Sequence, residues 1–251
     1  MNELVPVMDP LGPDYERAFS VFLEHTNQKD RERGYLADVI AALPARGLVI
    51  DAGAGIGTTT AWLASRFDNV LAIEPNPHLR TRLVDNCPQA KVLVEPILDA
   101  RPGMLANLVL CSHVFYYIPQ EEWLDHLDTL ASWLAPGGEA VVALQHPCSD
   151  CMWMLCHFTG RRFNLAKLAK SFAERKMAGW SVSIDTVPAT IRTPNVATAV
   201  RIAEFVLNSA PLADPPKRDL LRDYVHDNFA DLDGRCQFSC TQDFLRVRRD
   251  A

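Results

Sequence analysis

Apolar residues along the chain follow two different rhythms. Phe19, Phe22 and Leu23, and then Tyr35, Leu36, Val39, Ile40 and Leu43, recur every three or four positions, the spacing of one helix face. Two N-terminal helices with a break near Asn27 are predicted from this. From residue 47 onward, short and nearly unbroken apolar runs alternate with helical stretches. "GLVIDAG" (47–53), "VLAIEP" (70–75), "AKVLVEP" (90–96) and "ANLVLCSHV" (106–114) read as buried strands. "TTTAWLASRF" and "PHLRTRLVDN" read as the helices between them. "QEEWLDHLDTLASWL" (120–134) is amphipathic, and its first-turn acids suit the positive end of the helix dipole. "PGG" (136–138) is expected to break the chain before a fifth strand, "EAVVALQ" (139–145). Apolar strands alternating with helices imply a parallel sheet covered on both faces. Beyond residue 145 the spacing predicts a helix near 164–177, a strand near 180–187, helices near 196–208 and 217–227, and a last strand near 238–247.

A chain of 251 residues, 48% hydrophobic and 22% charged, can bury the core of one domain. Its net charge of −6 and pI near 5.6 argue against nucleic acid or an acidic membrane surface as the partner. No apolar run approaches the ~20 residues that span a bilayer. The opening "MNELVPVMDPLGPDY" lacks the basic-then-apolar layout of a signal peptide. Seven cysteines, irregularly spaced and without an export signal, fit reduced thiols and a cytoplasmic location.

Candidate chemistry begins where the first strand ends. It runs into Asp51-Ala52-Gly53-Ala54-Gly55-Ile56-Gly57, and a helix follows at once. Glycines let a backbone turn sharply and approach a ligand closely, and the exposed N–H groups of the helix favour an anionic group there. Glu74 ends the second strand, 23 residues after Asp51, where an acid can accept from both hydroxyls of a ribose. Dinucleotide sites read G-x-G-x-x-G, whereas this loop reads G-x-G-x-G, one residue shorter.

At these residues the sequence resembles the class I S-adenosylmethionine (SAM) methyltransferases, through "VIDAGAGIG", Glu74 and "LAPGGEAVV". The resemblance implies an α/β Rossmann-like fold with a seven-stranded, mostly parallel sheet of order 3-2-1-4-5-7-6 and helices on both faces. It implies a single domain: an N-terminal helical lid (1–44), a SAM-binding core (45–146), and a substrate-side lid with the last strands (147–251). SAM would be held by Asp51, Gly53, Gly55 and Gly57 at its methionine part and by Glu74 at its ribose. Asp99 and Ser112 are further cofactor candidates, Asp99 for the adenine amine, with a helix-cap or surface role as its alternative. "DYERAFSVFLEHT" (14–26), "CSHVFYYIP" (111–119) and "FSCTQDFLRV" (238–247) are similar to histamine N-methyltransferase and its relatives, which implies a monomer acting on a small molecule.

On the acceptor side, His113 and Tyr117 are the catalytic candidates, and Gln28, His113, Tyr116, Tyr117, Trp153 and Cys240 the substrate-binding ones. Aromatic faces attract cations by ~0.5–2 kcal/mol, and SAM carries a sulfonium; core packing is the alternative for one of the two tyrosines. His113 reads either as a satisfied hydrogen-bonder or as a substrate binder or base. Three positions depart from the histamine enzymes: Gln28 stands for a glutamate, His113 for a glutamine and Cys240 for an asparagine of the last strand. Loss of the carboxylate removes the natural partner of a substrate ammonium. That argues against histamine itself; the reaction the resemblance implies is methylation of a nitrogen on another amine or imidazole-type metabolite. The alternatives are O- or C-methylation of a carboxylate-bearing compound, a nicotinamide-dependent oxidoreductase, and a non-catalytic SAM-binding protein.

"LQHPCSDCMWMLCHF" (144–158) gathers His146, Cys148, Cys151, Cys156 and His157. A zinc site would need Cys148-x2-Cys151 to join Cys236-x3-Cys240, and a redox pair would need a thioredoxin-like setting that is missing. Leaving the fifth strand, the segment is expected instead to be a flexible apolar lid carrying Met152, Trp153 and Met154, without metal.

Overall fold

Pro13 opens the first helix at no hydrogen-bonding cost, because the N–H it lacks would have no helical partner there. The computed structural model describes residues 3–10, 12–175 and 178–251. In chain order the elements begin with α1 (Pro13–His25), α2 (Gln28–Ala42), β1 (Leu48–Ala52), α3 (Thr58–Ala64), β2 (Asn69–Ile73), α4 (Pro77–Asn86), β3 (Lys91–Leu93) and β4 (Ala106–Ser112). They continue with α5 (Trp123–Ser132), β5 (Leu134–Gln145), α6 (Asp150–Thr159), α7 (Leu165–Arg175), β6 (Trp180–Val187) and β7 (Thr190–Thr193). The last are α8 (Val196–Leu207), α9 (Arg218–Phe229), β8 (Cys236–Ser239) and β9 (Gln242–Arg249). Short 3-10 turns at Phe115–Tyr117 and Gln120–Glu122 precede α5.

The chain forms two compact units, each assembled from separated stretches. One comprises residues 36–144, 165–185 and 243–251. Its centre is a seven-stranded mixed sheet of order β3-β2-β1-β4-β5-β9-β6. Because β7 and β8 lie outside that sheet, β9 is its seventh strand, and the order is the expected 3-2-1-4-5-7-6. β1 runs parallel to both β2 and β4, with Asp51 level with Ala72 and Leu110. Every residue of β1 is buried, as the unbroken apolar run requires for a central strand.

The other unit comprises residues 1–35, 145–164 and 186–242. Here β7 and β8 form a separate antiparallel ribbon, with Ile191 level with Phe238. The break between α1 and α2 is held on this ribbon: the Asn27 Oδ1 accepts from Thr190 N at 2.8 Å, and Thr26 bridges to Ile191. Tyr15, Phe19 and Phe22 of α1 pack on Phe205 of α8, with ring centroids 5.2–5.4 Å apart.

Four expectations are corrected. "PGG" does not end an element, because β5 starts at Leu134 and takes the glycines in as an irregularity. Leu134 pairs with Ala106, yet Glu139 already pairs with Leu108, so five residues of β5 pass opposite two of β4. The single last strand is two strands, β8 and β9, and Cys240 stands in the gap between them rather than in the sheet. The segment expected as a flexible apolar lid contains a helix, α6, capped by the Ser149 side chain accepting from Met152 N, with Cys151, Met152, Met154 and Leu155 buried. The third strand is only three residues long. The helix expected near 164–177 runs over Leu165–Arg175, and its last two expected residues, 176–177, lie outside the described residues.

Candidate active site

Hydrogen bonds fasten the glycine loop from two sides. Gly53 N and Ala54 N both donate to Ile73 O, at 2.8 and 3.1 Å, fastening the loop to the end of β2. Asn86 Nδ2 of α4 donates to Ile56 O at 2.7 Å and holds it from the other side. Gly53 has φ of 83°, and a Cβ there would lie 2.3 Å from Val114 Cγ2. Gly57, with φ of 83° as the cap of α3, has its missing Cβ 2.6 Å from Leu83 Cδ1. Both are therefore glycines by conformation and by space. Asp51 is buried and accepts from Thr60 Oγ1 at 2.7 Å, so α3 is tied to β1 beneath the loop.

Glu74 completes this half of the site. Its Oε2 accepts from Gly55 N at 2.8 Å and its Oε1 from Asn76 N at 2.9 Å. Burial pushes its carboxyl pKa above the ordinary value of 4.5, against the opposing pull of those two amides and of the Arg80 guanidinium. An ionised carboxylate has about four acceptor positions. Two are used by the backbone, so the group keeps capacity for two ribose hydroxyls. Gly55 has nothing within 4 Å of its missing Cβ, so the loop is open at that residue. These residues fit SAM: an anchored acid for the ribose and a glycine backbone bare enough for close approach.

The other two cofactor candidates, Ser112 and Asp99, and the acceptor-side candidates His113, Tyr116 and Tyr117 lie at or near the ends of β3 and β4. Ser112 is level with Ala143 of β5, and His113 N still donates to Ala143 O at 2.9 Å. The chain then turns, and His113 takes φ of 60°. Its ring stacks on Tyr116 with centroids 5.9 Å apart and 16° between planes. Tyr116 is buried and Tyr117 is 46% exposed, so of the two it is Tyr117 that faces outward. Asp99 sits exposed on a turn after β3, where its N–H donates to Pro96 O.

The remaining three candidates belong to the other unit. Gln28 is buried, and its Nε2 donates to Cys240 O at 2.9 Å. Thr26 Oγ1 lies 3.2 Å from Cys240 Sγ, whose pKa burial pushes up to about 11. Gln28 and Cys240, both expected at the acceptor, thus touch each other. Trp153 is 47% exposed on α6, with the Arg162 guanidinium 5.1 Å from its ring. Cys151 is buried, and burial holds its thiol well above the ordinary 9.0, with Cys240 nearby adding to the shift. Among the described residues, no three potential ligands gather as a metal site. No helix among them is long and apolar enough to cross a membrane.

Sequence reasoning missed Thr60, Asn76, Asn86 and Val114. Asn76 carried a readable signal: an Asn before Pro77 is a helix cap, and its Oδ1 accepts from His78 N and Leu79 N. Thr60, Asn86 and Val114 act on residues distant in sequence, and no local pattern marks them.

The chain spans less than half the length of one curated relative that it matches. That relative, an uncharacterized methyltransferase of Exiguobacterium sibiricum, is 32% identical over 95 residues, 38% of this chain and 44% of the relative. The fold is similar to that of YcgJ from Bacillus subtilis, with TM-score 0.61, 12% identity and coverage of 87% and 99% of the two chains. It is also similar to the N-methyltransferase NodS of Bradyrhizobium japonicum WM9 in complex with S-adenosyl-L-homocysteine. There the TM-score is 0.52 and the identity 14%, over 82% of this chain and 80% of that one. A family model described as "Methyltransferase domain" matches residues 26–189, which include the glycine loop, Glu74 and the His113 turn. The chain belongs to the methyltransferase domain family, whose enzymes take their methyl group from S-adenosylmethionine.

Proposed function

We propose that the protein transfers the methyl group of SAM to a nitrogen of a small amine or imidazole-type metabolite. The observation that carries the cofactor half is Glu74, held by Gly55 N and Asn76 N with acceptor capacity left over. When bound, SAM supplies a methyl group on a positively charged sulfur. The glycine loop offers backbone amides to its carboxylate, and Glu74 accepts from its ribose. The stacked His113 and Tyr116 rings, with exposed Tyr117, form an aromatic wall that attracts both a sulfonium and a flat nitrogen heterocycle. Methyl transfer to a neutral nitrogen needs no strong base. Alignment of nucleophile, methyl and sulfur is then the main demand, worth up to ~7–11 kcal/mol in favourable cases.

Similarity to the histamine N-methyltransferases supports nitrogen as the acceptor atom, but we do not propose histamine as the substrate. A glutamate at position 28 would meet a substrate ammonium, whereas Gln28 donates its amide to Cys240 O. The test is methyl transfer from SAM to a mixed panel of biogenic amines, imidazole acids and small hydroxy or keto acids, read by mass spectrometry. A gain of one methyl on an amine or imidazole supports the proposal. Methylation confined to hydroxyl, carboxylate or carbon acceptors overturns it, and histamine as the preferred acceptor overturns the reading of Gln28.

A further inference from the structure

We propose that Val114 is a positioning residue that ties the glycine loop to the His113–Tyr116 ring pair; this rests on the reading of the site given above. Among the described residues His113 is the sole non-glycine with positive φ. Left-handed backbone is costly for most side chains, and histidine tolerates it better than most. Its effect here is to turn the chain directly out of β4, so that the next side chain is delivered to Gly53. An added Cβ on Gly53 would lie 2.3 Å from Val114 Cγ2 and 3.4 Å from both Cβ and Cγ1, so the whole branched side chain fills the place where Gly53 has none.

Neither partner has room to withdraw. Gly53 is pinned behind by its bond to Ile73 O. The far end of the turn is pinned by Tyr117 N donating to Val114 O at 3.0 Å, and by Trp123 Nε1 donating to Phe115 O and Ile118 O. Phe115 is fully buried against Trp123, with ring centroids 5.5 Å apart. Gly55, two residues along the same loop, donates to Glu74. Val114 therefore stands between two sets of groups. On one side are the loop and the ribose acid; on the other is the ring pair facing the acceptor. A shift in either is felt by the other through this contact.

Calorimetric titration with S-adenosylhomocysteine tests this on the full chain as wild type, Val114→Ala, Gly53→Ala and the double variant, with a melting temperature for each. Val114→Ala is expected to lose about tenfold in affinity while melting close to wild type. Gly53→Ala should lose more, from the clash and from φ of 83°. The double variant should bind about tenfold better than the product of the two single losses, since the small side chain removes the clash. If Gly53→Ala does not fold, Val114→Thr, which keeps the branch, should restore the affinity that Val114→Ala loses. Wild-type affinity in Val114→Ala overturns the proposal, as do losses that simply multiply in the double variant. Failure of the wild type to bind S-adenosylhomocysteine overturns instead the reading of the site on which it rests.

Discussion

Glu74 is the residue on which the cofactor half of the site turns. Under the proposed reading Glu74→Ala removes the acceptor of two ribose hydroxyls, and it frees Gly55 N from its anchor. Charge-assisted bonds are worth about 1.5–3 kcal/mol each, so affinity for S-adenosylhomocysteine should fall at least about a hundredfold by calorimetry. Its titration adds a pH dependence. Burial raises its pKa above 4.5, so the free site takes up a proton earlier than an exposed glutamate as pH falls. The protonated form accepts fewer hydrogen bonds, so affinity should fall as pH drops through that raised pKa, and Glu74→Gln should flatten this slope. Gln28, an expected substrate binder, also carries a structural bond. Its amide donates to a buried carbonyl, which an ionised carboxylate cannot do. Gln28→Glu should cost about 1–3 kcal/mol in urea unfolding near neutral pH, and less in acid, where the protonated side chain regains a donor. Glycine spacing and an acid at a strand end made the cofactor half legible in sequence, because each is a local requirement. The bond from Gln28 to Cys240 joins residues far apart in the chain, and no local pattern encodes it.

Elements were legible where one physical cue decided them. The helix over Pro77–Asn86 is found with its expected ends, since Asn76 caps it and Pro77 suits its first turn. "PGG" was misleading because turn residues also serve inside a strand when the partner strand's register slips. Met152, Trp153 and Met154 in 146–158 suggested a flexible lid without a helix of its own, yet Ser149 is a helix cap and Gly160, with φ of 71°, ends α6 in the usual left-handed manner. β7 is too short, at four residues, to show a period of its own. The β5 irregularity gives a test at this scale. A Cβ on Gly138 would lie 2.8 Å from Ala106 O and 2.9 Å from Ala135 O, both backbone atoms unable to rotate away. Gly138→Ala should therefore destabilise by about 1–3 kcal/mol, read as a lower melting temperature. A tolerated alanine would mean that the β4–β5 register is free to slide.

At the scale of the molecule, periodicity gave the alternation of strands and helices but not their order, which depends on which strands pair across long connections. The last three strands of the sheet, β5, β9 and β6, are joined by a charged cluster that no pattern forecast. Arg246 of β9 binds both oxygens of Glu139 on β5, one of them at 3.0 Å, and Asp185 on β6 at 3.2 Å. Glu139 is 3% exposed, so removing its partner strands a charge that water reaches poorly. Arg246→Ala should cost about 3 kcal/mol, toward the lower end for such a pair because Asp185 is partly solvated. Replacing both members, as Arg246→Met with Glu139→Leu, should recover most of that loss, since two apolar side chains need no ionic partner. The effect has a route to the site. β5 fixes the end of β4 through Ser112 opposite Ala143 and the bond from His113 N to Ala143 O. Under the proposed reading, a loosened β5 should therefore raise the acceptor KM most, while S-adenosylhomocysteine binding weakens less, through Ser112 and the contact of Val114 with Gly53. Urea unfolding and the two binding measurements on the same variant separate these effects. Equal loss of both affinities would show that the cluster supports the sheet as a whole rather than the acceptor side of it.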